Sequence, residues 1–374
     1  MPEPFKNVFN PEMISQMGAH FRRVDRSFKA DLFVKQAATG LSALEMKARS
    51  NQIRDALADA LPENFERSCE ILLASLHPQD SIESGNQMDD QGIAGWAIDP
   101  MADFVAVHGQ GHFDLSLSVL KEMTKRFTAE FAVRPFFVAD PERALGFFQE
   151  WASDPNFHVR RLVSEGSRPR LPWGLRLHSF VNDPQPLLPL LNSLKDDQEE
   201  YVRRSVANNL NDISKDHPDL VADIAKDWLK GASKDRKRLV KHACRSLIKG
   251  GHPGALEALG YGEPLLEASD IILKNAEITL GGSLDFEVEI SSLSEAPQPL
   301  MIDYVIHHLK ANGETSPKVF KLKIAEIKPG ARMVLQKKHP IKPITTRVYY
   351  EGPHGIELQI NGKSFGQAAF LLKL

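Results

Sequence analysis

Three stretches of the chain set arginines and acidic or amide side chains at helical spacing. KRFTAEFAVRPF begins at Lys125, RRLVSEGSRPRLPW at Arg160 and RRSVANNLNDISKDHP at Arg203. On a helical wheel Arg126, Glu130 and Arg134 share one face, as do Arg161, Glu165 and Arg168, and then Arg204, Asn208 and Asp212. Guanidinium groups grip phosphates through charge-assisted, often bidentate, hydrogen bonds. Carboxylates turned toward a phosphate backbone oppose simple binding and need another reason. Stabilising positive charge as it develops on a deoxyribose is one. A solvated face is the other reading, because Arg and Glu four residues apart also form ordinary surface pairs worth about a few tenths of a kcal/mol.

Further along, Lys234, Arg238, Lys241, Arg245 and Lys249 line one helical stripe with only Asp235 beside them. This reads either as a surface that tracks phosphates or as a solvated basic face. Trp173 follows Arg168-Pro169-Arg170-Leu171-Pro172, where the prolines end a helix. An indole on such a loop packs over a sugar or base, or else turns into the core, as Trp151 on an apolar stripe does. His108 and His112 have the spacing of a metal pair, but Gly109 and Gly111 between or beside them argue against helix and hence against a metal. No metal or nucleotide motif is present, so no cofactor is expected. The aligned faces set no lysine beside the carboxylates, so no Schiff-base step is expected either.

The elements that must position these residues change character along the chain. Residues 1–262 read as helical. Asp140-Pro141, Asp154-Pro155 and Asp183-Pro184 each place a capping side chain before a proline at the first helical position. The three arginine-rich stretches, with a looser fourth copy from Asp235, recur at spacings near the roughly 40-residue HEAT-type unit. Each such unit buries its apolar stripe only against its neighbours. Gly260-Tyr261-Gly262-Glu263-Pro264 is a breaker-rich linker. Residues 266–374 then alternate apolar and polar positions in short runs: ILKNAEIT, SLDFEVEIS, LMIDYVIHH, VFKLKIAEI, RMVLQKKH, TRVYYEG and GIELQING. The predicted fold class is mainly α, a HEAT-like helical-repeat solenoid (1–262) followed by a small all-β immunoglobulin-like sandwich (266–374).

The 374 residues carry 46 basic and 49 acidic side chains, a net charge of −3, so any surface for nucleic acid must be local. No apolar run reaches the roughly 20 residues of a membrane helix. MPEPFKNVFN lacks the features of a signal peptide. Cys69 and Cys244 read as reduced core thiols of a cytoplasmic protein, with a monomer the simple expectation.

TAEFAVRPF, HVRRLVSEGSRPRLPW, YVRRSVANNLNDISKDHP and the N-terminal EPFKNVFN resemble the AlkC family of bacterial DNA alkylation-repair proteins, over essentially the whole chain. The resemblance implies a monofunctional base-excision glycosylase that acts on double-stranded DNA. It implies excision of cationic alkylated bases such as 3-methylcytosine, 1-methyladenine and 3-methyladenine, without flipping them. The family's important positions fall on Glu130, Arg161, Glu165, Arg168, Trp173 and Asp212. Glu165, supported by Asp212 and Glu130, is expected to stabilise the sugar cation and position water. Arg161 and Arg168, with Arg126, Arg204 and the basic stripe, are expected to hold phosphates, and Trp173 to pack on the damaged nucleotide. Lys337, Lys338, His339, Lys342 and Arg347 are expected to carry the sandwich to the DNA minor groove, the alternative being a passive stability domain.

Overall fold

The structure is a computed structural model that describes residues 4–78 and 87–374. The chain forms two compact units, Met1–Asp216 and His217–Leu374.

The first unit is helical. Its helices are α1 (Pro11–Val24), α2 (Ala30–Ala38), α3 (Met46–Ala60), α4 (Phe65–Ala74), α5 (Ile98–His108), α6 (Phe113–Thr124), α7 (Arg134–Ala139), α8 (Pro141–Trp151), α9 (Phe157–Gly166), α10 (His178–Asn182), α11 (Leu188–Leu194) and α12 (Glu200–Ile213). Local chemistry sets the starts. Asn10 accepts from the Met13 amide with Pro11 at the first position of α1, and Asp140 caps α8 in the same way through Arg143. Asp154 is not the cap of α9. Asn156 takes that place by accepting from the His158 amide, while the Asp154 carboxylate accepts from the Asn156 amide two residues on. Asp183 likewise opens only the short 3-10 turn Gln185–Leu187, through the Gln185 amide. The stripes Val159, Leu162 and Val163 of α9 and Val202, Val206 and Ile213 of α12 are buried, and the two helices pack against each other. Trp151 is buried in the core, and Cys69 and Cys244 are buried free thiols.

The second unit begins with α13 (Pro218–Trp228), α14 (Lys234–Ala243), α15 (Arg245–Lys249) and α16 (Pro253–Ala258). Nine strands follow: β1 (Leu266–Ala268), β2 (Ile272–Leu273), β3 (Glu277–Thr279), β4 (Ser283–Ser292), β5 (Gln298–Leu309), β6 (Thr315–Ile327), β7 (Arg332–Pro340), β8 (Gly352–Ile360) and β9 (Lys363–Lys373). β4 pairs with β1, β2 and β7; the second sheet runs β3-β9-β8-β5-β6, antiparallel except for β3 with β9. Strict alternation along β4 turns Leu284, Phe286, Val288 and Ile290 into the core against Ile302, Tyr304 and Ile306 of β5 and Ile356 and Leu358 of β8. Several strand expectations change. ILKNAEIT divides into β2 and β3, which join different sheets; TRVYYEG is irregular up to Gly352, which opens β8, apart from a single bridge between Ile344 and Arg347; and β1 and β9 lie outside the expected strands.

At the turn between α15 and α16, Gly251 (φ 68°) meets Gly362 (φ 80°) of the β8–β9 turn. A Cβ on Gly251 would lie 2.8 Å from the Gly362 backbone, and one on Gly362 2.6 Å from Gly251. Only glycine permits both the left-handed backbone and this approach. Beside the sandwich core, His308, His339 and His354 are all buried. The Tyr304 hydroxyl lies 2.9 Å from His339 Nδ1. His354 Nε2 donates to the Tyr350 carbonyl at 3.1 Å. Both ring nitrogens of His308 lack a hydrogen-bond partner. Burial, with Arg347 and Lys318 nearby, pushes the His308 imidazole down to about 3. Burial, with Lys318, Lys337 and Arg347, pushes His339 down to about 4. Among the described residues no helix is long and apolar enough to cross a membrane.

Candidate active site

The three arginine-rich stretches do come together, though not as three equivalent helices. Residues 125–133 form turns between α6 and α7, so Arg126, Glu130 and Arg134 share no helical face. Thr128 organises that turn, its hydroxyl donating to Glu130 Oε2 (2.8 Å) and accepting from the Glu130 amide. Pro135 then fixes the first turn of α7. Arg161 and Glu165 do lie one turn apart on α9, whereas Arg168 lies past its end. Asp212 comes from the last turn of α12.

From these separate elements arises one alternating chain of charges. Arg161 Nη1 lies 2.5 Å from Glu130 Oε2, and Arg161 Nη2 lies 3.6 Å from Glu165 Oε2. Arg168 joins the next two acids, with Nη1 2.5 Å from Glu165 Oε1 and Nε 2.8 Å from Asp212 Oδ2. Lys215 closes the row at 2.9 Å from Asp212 Oδ1. The Ser205 hydroxyl donates to Glu165 Oε2 at 2.6 Å. Glu165, Arg168 and Asp212 are buried; Glu130 and Arg161 keep slightly more exposure, 12% and 14% of their side chains. Burial alone would raise the Glu165 carboxyl, but Arg161, Arg168 and Ser205 overcome it and hold Glu165 below the usual carboxylate range. Glu165 is therefore ionised at neutral pH.

This geometry changes the parts expected of several cations. Arg161 and Arg168 are engaged inside the protein, with carboxylates and, for Arg161, the Thr128 hydroxyl at 2.9 Å, and together they hold Glu165 ionised. Arg126 is tied to backbone, donating to the carbonyls of His77 (2.8 Å), Glu122 (3.2 Å) and Pro78 (3.4 Å). Arg204 stands exposed on α12. The expected basic stripe is broken at Cys244, which ends α14 and begins α15. Lys234, Arg238 and Lys241 are exposed on α14, with Arg238 3.9 Å from Asp235, whereas Arg245 is half-buried and donates to the His242 carbonyl. His112 pairs with Glu66 at 3.1 Å, and His108 closes α5. No group of three metal-ligating side chains occurs among the described residues.

Lysine does lie beside a carboxylate, contrary to the aligned wheels: Lys215 reaches Asp212 because it follows the end of α12 by two residues. Trp173 has neither fate of a core indole. It is 91% exposed on the loop between α9 and α10, with φ 64°, a left-handed conformation rare for a bulky residue. Leu175 nearby is also exposed. Sequence reasoning missed Ser205, Thr128 and Tyr201, whose ring carries the Arg161 guanidinium 5.0 Å from its centroid. Ser205 directly follows Arg204 in the third stretch, so its place on α12 was readable, but its partner was not. Thr128 and Tyr201 also line a cavity of about 800 Å³ with Trp96, Phe127 and His158.

Residues 2–247 match the family described as DNA alkylation repair enzyme, and residues 267–374 match the C-terminal Ig-like domain of the uncharacterised protein YhaZ. The uncharacterised protein YhaZ of Bacillus subtilis is 35% identical over 96% of both chains. The alkylpurine DNA glycosylase AlkC of Pseudomonas fluorescens, solved bound to DNA containing an abasic-site analogue, is similar over the full length of both chains, with 34% identity and a TM-score of 0.87. With its buried acid–arginine row, its exposed indole and its immunoglobulin-like sandwich, this chain belongs to the DNA alkylation repair enzyme family.

Proposed function

We propose that this protein is a monomeric, monofunctional DNA glycosylase of base excision repair. It hydrolyses the N-glycosidic bond of the cationic alkylated bases 3-methylcytosine, 1-methyladenine and 3-methyladenine in double-stranded DNA. The observation that carries this reading is the row Glu130, Arg161, Glu165, Arg168, Asp212. Glu165, held ionised by internal guanidinium groups and flanked by two further carboxylates, offers a preorganised negative field, which is what a sugar losing its base requires. A positively charged base is a good leaving group and needs little protonation, so the reading requires no general acid. As the bond breaks, Glu165 stabilises the oxocarbenium-like sugar, and Glu130 and Asp212 support it and the attacking water.

Glu165 and Asp212 are hydrogen-bonded to arginines, a serine and a lysine and are aimed in this reading at the sugar, and excision without base flipping is part of the proposal. Trp173 packs on the damaged nucleotide from its exposed loop. Arg204, Lys234, Arg238 and Lys241 meet phosphates, and Lys337, Lys338, Lys342 and Arg347 bring the sandwich to the minor groove. Lys215 is held against Asp212 by an ion pair and takes no part in Schiff-base chemistry in this reading. The proposed reaction stops at the abasic site and uses no cofactor.

Single-lesion duplexes incubated with wild type and Glu165→Gln test the reading. Wild type releases free base and leaves alkali-labile sites, and the variant binds the duplex but releases base far more slowly. Wild type that binds damaged duplex without ever yielding an abasic site makes the protein a damage sensor instead. Covalent trapping by borohydride would overturn the monofunctional assignment.

A further inference from the structure

Arg134, the first residue of α7, has no solvent exposure. Its Nε donates to the Leu175 carbonyl at 2.5 Å and its Nη1 to the Gly166 carbonyl at 2.9 Å. Gly166 is the last residue of α9, and Leu175 lies just beyond Trp173. One guanidinium thus ties together both ends of the segment that presents the exposed indole. The segment passes directly over it: a Cβ on Gly174 would sit 3.2 Å from Arg134 Nε and 3.1 Å from Leu171 Cδ2. No carboxylate pairs with Arg134 among the described residues, and its Nη2 is buried without a hydrogen-bond partner. Burying a guanidinium this way is costly, and a methionine of similar length would fill the space without that cost.

The loop explains why the cost is carried. Trp173 holds a left-handed backbone that disfavours a side chain, and such strain persists only where the surroundings dictate it. Before Trp173 the segment is also held by Arg168, through its amide to the Glu165 carbonyl (3.3 Å) and its side chain to Glu165 and Asp212, and by the Arg170–Asp216 pair (2.6 Å). The Gly174 amide to the Leu171 carbonyl (3.2 Å) stays within the loop, and the Leu177 amide to the Pro169 carbonyl (3.2 Å) spans Trp173 without reaching α9. Among the hydrogen bonds of the described residues, those of Arg134 join the far side of Trp173 to the helix end. We infer that Arg134 is a positioning residue for Trp173, locking an exposed indole in its DNA-ready pose before DNA arrives. An indole already fixed loses little conformational freedom on binding, which favours affinity for the kinked or base-free duplex. This inference rests on the glycosylase reading for the indole's role toward DNA, but not for the state of the free loop.

The test uses the full chain with Arg134→Met, Arg134→Lys, Trp173→Ala and the double variant Arg134→Met/Trp173→Ala. Trp173 emission, isolated by subtracting the matching Trp173→Phe proteins, gains a fast anisotropy component in Arg134→Met. Affinity for a duplex carrying an abasic-site analogue falls about tenfold in Arg134→Met, recovers in part in Arg134→Lys, and falls less than about twofold when Trp173 is already alanine. Equal losses with and without the indole, or an unchanged anisotropy decay, overturn the proposal. If Arg134→Met does not fold, Gly174→Ala presses the loop against the guanidinium without unpairing a charge and must show the same non-additivity. Wild type that never releases base defeats the glycosylase reading, while the anisotropy and duplex-affinity arms still decide this one.

Discussion

The acid–arginine row of the helical unit and the histidines of the sandwich are both buried clusters of titratable groups, and they meet burial in opposite ways. In the row, opposite charges answer one another: Arg161 and Arg168 each contact two acids, and Ser205 adds a hydrogen bond to Glu165. In the sandwich, His308 and His339 avoid the problem by staying uncharged, with Arg347 and Lys318 adding to the penalty for protonation. Pairing preserves an electrostatic field that chemistry can use. Neutrality leaves a packed interior whose stability depends on proton concentration.

The largest effect comes from breaking the row. Arg168→Met leaves Glu165 and Asp212 buried without their shared guanidinium and should lower unfolding free energy by about 3–5 kcal/mol in urea melts. A loss under ~1 kcal/mol would mean that water, not Arg168, answers those charges. Glu165→Gln spares the fold more but removes the field at its centre. Base release under single-turnover conditions should fall by about 10²–10³, and equal rates for the two proteins would remove Glu165 from catalysis.

The sandwich should respond to acid in a window where the row does not. For a histidine whose folded value is depressed, the unfolded chain binds the proton first, so stability is fully present above about 6.5 and is lost as pH falls toward the folded values of about 3 and 4. By pH 5 each of His308 and His339 should cost about 2 kcal/mol. Glu165, held below the usual carboxylate range, contributes its loss only at lower pH. Calorimetry at pH 7.5 and 5 should show the shift, and His308→Phe should remove about 2 kcal/mol of it. The smallest effect belongs to exposed charge. Lys234→Ala or Lys241→Ala should each reduce the slope of log affinity against log salt by about one, with base release at saturating protein unchanged.

The difference between local and distant pairing also explains what could be read beforehand. Arg161 with Glu165 is written in helical spacing, and the apolar stripes of α9 and α12 follow the same period. The partners 31, 40 and 44 residues away, Glu130 with Arg161, Ser205 with Glu165 and Asp212 with Arg168, exist only once the units stack. The wheel through Arg126, Glu130 and Arg134 failed because Thr128 and Pro135 build a turn and a helix start where a helix interior had been read. TRVYYEG has the β-branched and aromatic residues of a strand but lies in an irregular stretch beyond Pro340 and Pro343. β9 escaped notice because its alternation is weak: only Phe370 and Leu372 are buried along it. Trp173 could be placed on a loop, whereas its exposure depends on anchors at both ends of that loop.

The back-to-back glycines at positions 251 and 362 bear on how this protein can be taken apart. Composition invites a cut near residue 262, yet that cut would separate two turns whose backbones leave no room for even a methyl group between them. It would also strip the Gly262 carbonyl of the Asn361 amide that donates to it at 2.9 Å. A piece starting at His217 keeps both turns and the four short helices with the strands. A side chain at either glycine would press on the backbone of the other, so the two turns are coupled sterically although they lie far apart in the chain.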